Sequence, residues 1–402
     1  MNESKSNVPK LRFPGFTGSW EQRKLREFYR KGDEKNADLE FGIDRTISVS
    51  SMSWNPKGNG AAEDSLPSYK ILREGDLAFE GNRTKGHPYG KLVINDIGAG
   101  IMSSRFRTLA AKEPMCIPFW KPFLTVDSVF RRIYINCTKR GTLMTELVVP
   151  ELLESAVPLP SLSEQRLIGA FFRDIDNLIT LRQRELDHTK LMKRGLLQKM
   201  FPKDGADVPE LRFPGFTGSW EQRKLGELYE PISEKNDGSY GINRVISVAN
   251  MYFKADAKVS DKSYLSTYNV MRIGDIAFEG NRSGGFAHGR LVENDIGDGI
   301  VSHVFKVFRP IGDYDLSYWK YAINNESVMG PILVRSTKAS TMMHELVPRD
   351  FLNEGIRVPP KMAEQRRIGA LFRAVDDLIT LRQRELEHMK LLKKALLQQM
   401  FV

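Results

Sequence analysis

Two glycine-flanked segments carry the side chains best suited to touching a nucleic acid, EGNRTKGHPYGKL (80–92) and EGNRSGGFAHGRL (279–291). The first offers Asn82, Arg83, Lys85, His87, Tyr89 and Lys91; the second offers Asn281, Arg282, Ser283, His288 and Arg290. Arginine and lysine can pair with guanine O6 and N7 or with phosphate, asparagine with adenine, and glycine lets the backbone approach a surface closely. The flanks agree and the interiors differ, as expected of two loops that face different sequences. A solvated hairpin tip is the plainer alternative. A second pair of segments, CTKRGTLMTEL (137–147) and STKASTMMHEL (336–346), sets Lys139, Arg140 and Lys338 beside hydroxyls; these could equally be strand ends that seat a following helix. The least alike stretches, SWNPKGNG (53–60) and YFKADAKVSDKSY (252–264), are further candidates for reading different sequences.

Catalytic and cofactor patterns are missing. There is no G-x-x-x-x-G-K-[ST] phosphate loop, no G-x-S-x-G elbow and no H-E-x-x-H. Gly98 and Gly100 form a lone G-x-G whose counterpart encloses Asp298, which suits a turn better than a nucleotide loop. Asp76 and Glu80 could serve a nuclease, but Gly81 and Asn82 follow where a metal-dependent nuclease would want a nearby lysine. His188 and His388 have no ligand-spaced companions and read as solvated helix positions. The chain is expected to be non-catalytic, with no cofactor and no metal of its own.

What positions the two loops is a duplication. LRFPGFTGSWEQRKL (11–25) returns unchanged at 211–225, and of the 39 residues at 163–201, 27 recur at 363–401. Between these ends lie more divergent but alignable runs, such as FGIDRTISVSSM (41–52) with YGINRVISVANM (240–251). One unit of about 200 residues is written twice. The middle of each unit has short β-rich runs, RTISVSSM, DLAFEG and RRIYINC, broken by Gly, Pro, Asn and Asp, and reads as a mixed α/β globule. The end of each unit reads as a long helix. Ile168, Phe172, Ile175, Ile179 and Leu186 fall three, four or seven apart, as do Ile368, Phe372, Val375, Ile379, Leu386, Met389, Leu396 and Met400; Arg182 and Arg382 interrupt the stripes. Ser161-x-x-Glu164 fits a capping box, Lys361 breaks the match in the second copy, and Pro202 stops the first helix. So narrow a stripe suits a helix lying on a helix. The order globule, helix, globule, helix predicts an antiparallel, coiled-coil-like pair with pseudo-two-fold symmetry, each helix roughly 58 Å long at about 1.5 Å per residue.

Bulk composition fits this layout. With 402 residues, 41% hydrophobic and 27% charged, the chain is long enough for two to four folded domains. Its net charge of +10 favours polyanion partners. The charge is uneven: residues 26–150 hold 19 basic and 15 acidic side chains, residues 226–349 hold 14 and 15, and each helix carries 8 and 5. If the second globule touches nucleic acid, a local loop must do it. Two cysteines without C-x-x-C spacing, no apolar N-terminal region and no run of about 18 apolar residues predict a cytoplasmic protein with no membrane association.

The segments LRFPGFTGSWEQRKL, GDIAFEGNR with ENDIGDGIVSHVFKVF, and the VPPKMAEQRRIGALFRAVDDLI lead-in to a long helix resemble the specificity subunit of type I restriction-modification systems, across the whole chain and in both copies. The resemblance implies two target-recognition domains, each reading half of a split, asymmetric site in double-stranded DNA, with helices that fix the spacer and dock two methyltransferase subunits, to which restriction subunits are added. It implies a first target-recognition domain over 1–150, a first spacer helix and linker over 151–209, a second recognition domain over 210–349 and a second spacer helix over 350–402. S-adenosylmethionine and ATP would belong to the other subunits. Identical surfaces would meet identical partners, so Gln22, Arg23 and Lys24, with Gln222, Arg223 and Lys224, are candidate partner contacts, whereas Trp20 and Leu25 should pack inward. Base-contacting residues cannot be carried over by motif, and a stand-alone DNA-binding regulator or a self-sufficient endonuclease or methyltransferase remain the rival readings.

Overall fold

Leu77, Ala78, Phe79 and Glu80 are four consecutive buried residues, and a strand buried on both faces belongs in the middle of a sheet. A computed structural model of the chain, describing residues 7–58, 63–141, 144–203, 205–254, 262–281, 285–339 and 343–402, places it there. The chain divides into two compact units, one made of residues 1–183 with 385–402, the other of residues 184–384.

In the first unit a four-stranded antiparallel sheet has the order Tyr29–Gly32, Arg107–Ala111, Leu77–Glu80, Lys91–Ile94. One face packs on the helices Ile117–Phe123 and Asp127–Cys137 through Trp120, Phe123, Phe130 and Tyr134. The other face sends Ala78 against Ile47, Val49, Leu72 and Met102. The run RRIYINC, expected to be β-rich, lies in the helix Asp127–Cys137. Val129, Phe130, Ile133, Tyr134 and Cys137 are buried at helical spacing while Arg131 and Arg132 face out, so the period of burial outweighs the β-propensity of Ile and Tyr.

The second unit repeats this with Tyr229–Ile232, Val307–Pro310, Ile276–Glu279 and Arg290–Glu293, backed by the helices Leu316–Ala322 and Glu326–Ser336. Several buried positions differ between the units, and one of them puts a carboxyl into the core. Where the first unit has Ile94 and Met115, the second has Glu293 and Tyr314, whose hydroxyl donates to the Glu293 carboxyl. Burial, with Asp295 adding to it, pushes Glu293 up to about 9.

The long helices are Leu162–Lys199 and Met362–Met400. The first begins in unit one, and the second ends there. Within that unit Phe172 faces Phe401 with ring centroids 5.6 Å apart, and Lys393 Nζ reaches Asp176 at 2.5 Å. Within unit two, Phe201 faces Phe372 at 6.1 Å and Lys193 pairs with Asp376 at 2.6 Å. In each unit the start of one helix lies against the end of the other, so the pair runs antiparallel, as the repeat order predicts. Ile168, Phe172, Leu186, Ile368, Phe372, Val375, Leu386 and Met400 are buried, and the remaining stripe positions are half-buried. Arg382, which breaks the second stripe, donates to the Glu185 carbonyl at 2.8 Å and to Thr189 Oγ1 at 2.6 Å. The two copies of the unchanged stretch close onto the helix ends in the same way: Leu11 N–H donates to Gln399 O at 2.9 Å, and Leu211 N–H to Lys199 O at 2.8 Å.

Candidate nucleic-acid interface

The loop 81–90 joins the paired strands Leu77–Glu80 and Lys91–Ile94, with Glu80 opposite Lys91, so it is a hairpin end. Gly90 takes a φ of +80°, and a side chain there would run into Phe79 and the Glu80 carbonyl. Gly81 is required for another reason: its carbonyl accepts from Thr145 N–H at 2.9 Å, and a Cβ would overlap the Thr145 carbonyl. Thr145 starts the strand Thr145–Leu147, which pairs with Thr138–Arg140. The segments 80–92 and 137–147 therefore meet at one end of the unit. In unit two Gly280 O accepts from His344 N–H at 2.8 Å, and Thr337–Ala339 pairs with His344–Leu346.

At this end of unit one Asn82, Arg83, Lys85, Lys139 and Arg140 are exposed. The four cations among them have no ion-pair partner among the described residues. His87 and Tyr89 are half-buried; the His87 amide bonds the Thr84 carbonyl at 3.1 Å and orders the loop. Burial, aided by Lys91, lowers His87 below its ordinary range, so at neutral pH its ring is uncharged and can both donate and accept. Lys91 is tied back, its Nζ donating to Ser50 O at 3.2 Å. In unit two Asn281 and Lys338 are exposed, whereas Arg282 and Ser283 lie outside the described residues. His288 packs its ring on that of His344 at 4.9 Å. Arg290 is held more firmly than Lys91: it donates to Glu279 Oε2 at 2.8 Å and to the Ala249 carbonyl, under the Phe286 ring at 5.3 Å. The runs that precede the divergent stretches meet these loops through the Ser50 and Ala249 carbonyls; in the stretches themselves Trp54 lies under Arg45 at 4.3 Å and Phe253 under Arg244 at 4.9 Å. Residues 59–60 and 255–261 of these stretches lie outside the described residues.

The carboxylates that could have served a nuclease are structural. Asp76 accepts from the Arg73 and Ala111 amides at 2.9 and 2.8 Å, and Glu80 from the Asn82 amide at 3.1 Å. Burial raises Asp76 from the usual carboxylate range, against the pull of those two amides. Among the described residues no group of three or more His, Cys, Asp or Glu could hold a metal ion, and no helix is long and apolar enough to cross a membrane.

The unchanged stretch 11–25 does the same work in both units. Arg12 binds Glu164 with two bonds of 2.6 and 2.8 Å, and Arg212 binds Glu364 with the same two distances. Trp20 and Leu25 are buried, as expected; Trp20 meets Phe401 at 6.0 Å, and Trp220 meets Phe201 at 6.1 Å. The stretch clasps the place where one long helix starts and the other ends. The capping box at Ser161 is only half made: Ser161 Oγ accepts from Glu164 N–H at 3.4 Å, but the Glu164 carboxylate is taken by Arg12. The pairing of Arg12 with Glu164 has no local sequence signal; that both recur 152 residues apart in each copy is the one cue to it.

Gln22, Arg23 and Lys24 lie on the strand Glu21–Lys24, paired with Ala156–Leu159, and Gln222, Arg223 and Lys224 on Glu221–Lys224, paired with Gly355–Val358. Gln22 and Gln222 are exposed. Arg23 pairs with Glu27 at 2.5 Å, Lys24 with Glu154 at 2.8 Å and Arg223 with Glu227 at 2.7 Å, all at the surface; Lys224 is exposed.

No family model matches the chain. Over 97% of its length and 95% of the relative's, it is 23% identical to a Methanocaldococcus jannaschii protein described as the MjaX type I restriction enzyme specificity subunit. Over 74% of its length and 72% of that relative's, it is 22% identical to the MjaVIII type I restriction enzyme specificity subunit of the same organism. Its fold is similar to the crystal structure of a type I restriction-modification S subunit from M. genitalium, with a TM-score of 0.57, 14% identity and 98% and 99% of the two chains covered. A structure from work on complex assembly and conformational transition of the type I restriction-modification system matches with a TM-score of 0.55, 20% identity and 97% and 98% covered. Along nearly its whole length in one case and about three quarters in the other, the chain is thus similar in sequence to type I restriction enzyme specificity subunits, and its fold is that of the solved S subunit from end to end.

Proposed function

We propose that the chain is the DNA-reading subunit of a type I restriction-modification complex, itself without catalytic activity. Each unit reads one half of a bipartite, asymmetric site, through the recognition regions 1–150 and 210–349; residues 151–209 and 350–402 carry the spacer helices. The observation that carries this reading is the split between what diverges and what does not. The divergent segments of each unit converge on one hairpin end, joined by the Gly81–Thr145 and Gly280–His344 bonds, while the unchanged segments clasp the helices. Phosphate contacts set register, and a few side chains per unit discriminate, at about 1–3 kcal/mol per bidentate base contact. Asn82, Arg83, Lys85, His87, Tyr89, Lys139 and Arg140 are the candidates in unit one, with Asn281, Arg282, Ser283, His288 and Lys338 in unit two. Lys91 and Arg290 shape the loop bases.

Two methyltransferase subunits and the restriction subunits are the protein partners, and S-adenosylmethionine and ATP bind to those chains. Leucines left exposed at matching helix positions, Leu178 and Leu181 on the first and Leu378 and Leu381 on the second, support a docking surface used twice. The strands bearing Gln22, Arg23 and Lys24, and Gln222, Arg223 and Lys224, contribute their exposed polar atoms to it. The test is direct. Purified alone and incubated with DNA, magnesium and labelled S-adenosylmethionine, the chain neither cleaves nor methylates; from native cells it co-purifies with a methyltransferase in stoichiometric amount. Cleavage or methyl transfer by the isolated polypeptide would make it a self-sufficient enzyme, and isolation without a methyltransferase would make it a stand-alone regulator.

A further inference from the structure

A cavity of about 480 Å³ opens in the first unit beside the loop 81–90. Three segments far apart in the chain wall it: the loop with Lys85, His87 and Tyr89, the helix Asp127–Cys137 with Arg131, and the last turns of the second long helix with Lys394. Tyr134 closes its floor, held there by the Leu92 N–H, which donates to its hydroxyl at 3.0 Å. Lys85 and Lys394 are exposed and have no ion-pair partner among the described residues. Arg131 lies 3.6 Å from Asp127, but both side chains are more than half exposed, so that pair is weak and leaves the guanidinium available. Three cations thus converge on one rim against a single acid. The aligned positions in the second copy are Gly284, Gly330 and Arg194, with Glu326 in place of Asp127: one cation against one acid. The asymmetry has a location, which net charge alone does not supply.

We propose that this cavity seats a backbone phosphate of the DNA strand beside the first half-site, gripped by Lys85, Arg131 and Lys394, and that the second unit lacks an equivalent seat. The proposal rests on the DNA-reading function above. A phosphodiester fits because the cations approach from three sides of an open depression, a geometry for a compact anion, and because the depression borders the loop that would enter the groove. Arg131 and Lys394 then set register from outside the loop, one of them supplied by the spacer helix itself. Head one contributes a salt-dependent, sequence-independent share of affinity, while head two depends on its loop.

The test uses the chain assembled with its methyltransferase subunits and measures binding to the target duplex, and to an unrelated duplex, over a range of salt concentrations. Lys85→Ala/Lys394→Ala lowers the slope of log K against log salt by about 0.9 for each phosphate no longer neutralised, and weakens both duplexes by the same factor. Arg194→Ala, at the aligned position, leaves the slope unchanged. Lys85→Ala alone, on an exposed loop, gives the same direction with an unchanged thermal midpoint, which separates removal of a charge from damage to the fold. An unchanged slope in the double variant, with the unaltered complex still discriminating its target, overturns the phosphate seat and leaves the DNA-reading function standing. Loss of discrimination without uniform weakening overturns it too, since the residues would then be reading bases. Failure of the unaltered complex to bind any duplex overturns both.

Discussion

Removing the guanidinium of Arg12 perturbs a buried ion pair that the duplicated stretch makes at the same distance in both units. Glu164 is only 1% exposed and Arg12 14%, so Arg12→Ala leaves a buried carboxylate without its counter-charge. Breaking a buried pair from one side costs about 3–5 kcal/mol. The duplication supplies the control, because Arg212→Ala makes the same change in the other unit, at a site that shares no partner with the first. Amide hydrogen exchange resolves the two. Arg12→Ala lowers the opening free energy around Trp20, Leu25 and the start of the first long helix by about 3 kcal/mol and leaves the Trp220 region unaltered; Arg212→Ala does the reverse. The two effects add. Replacing both Arg12 and Glu164 with methionine recovers most of the loss, since an apolar pair carries no desolvation cost. A cost below about 1 kcal/mol, typical of exposed pairs, would refute the clasp, and so would loss of protection in both units from either single change.

Other consequences are as specific. Glu293 keeps a proton in the folded state that the unfolded chain releases above about pH 4.5, so unit two loses stability as pH rises from there towards 9, by about 1.4 kcal/mol per unit. Glu293→Gln abolishes this, and thermal unfolding at pH 5.5 and 7.5 should show the wild-type-to-variant difference moving by about 2–3 kcal/mol in the variant's favour; parallel curves would mean that Glu293 is ionised. Arg282→Ala relaxes reading of one half-site, by about 1–3 kcal/mol for a bidentate base pairing removed, and spares the other; equal loss at both halves would make the residue purely structural. Inserting seven residues between Ile179 and Leu186, and between Ile379 and Leu386, adds about 10 Å of helix, or about three base pairs of DNA. Methylation mapping should then report a longer spacer, and an unchanged target would remove the measuring role of the helices.

What is legible without the structure is the part that repeats or is periodic. The duplication locates two units, and stripes such as Ile168, Phe172 and Leu186 locate the helices and their buried face, because burial along a helix leaves a local signature. The loops 80–92 and 279–291 are visible for the same reason, as divergence between matching flanks. What stays hidden is long-range. Nothing near Gly81 announces that its carbonyl meets Thr145, nor does anything near Arg12 point to Glu164, since a bond across more than 60 residues writes no period. Glu293 is concealed by alignment with Ile94: a carboxyl in a core slot reads as a surface strand end until its neighbours Tyr229 and Tyr314 are placed. The helix Asp127–Cys137 reads as a strand because Ile133, Tyr134 and Ile135 favour strands individually, and only the burial of Val129, Phe130, Ile133 and Cys137 gives the helical period.

The proposed function requires that two differing heads read two halves of one target. Sequencing the methylome of a host that carries this gene, and of the same host with residues 226–349 exchanged for the equivalent region of a type I specificity subunit of different target, tests it most directly. The expected result is a gene-dependent split motif of which one half changes and the other persists, with the spacer retained. A motif that changes in both halves, or a continuous motif with no spacer, would contradict it.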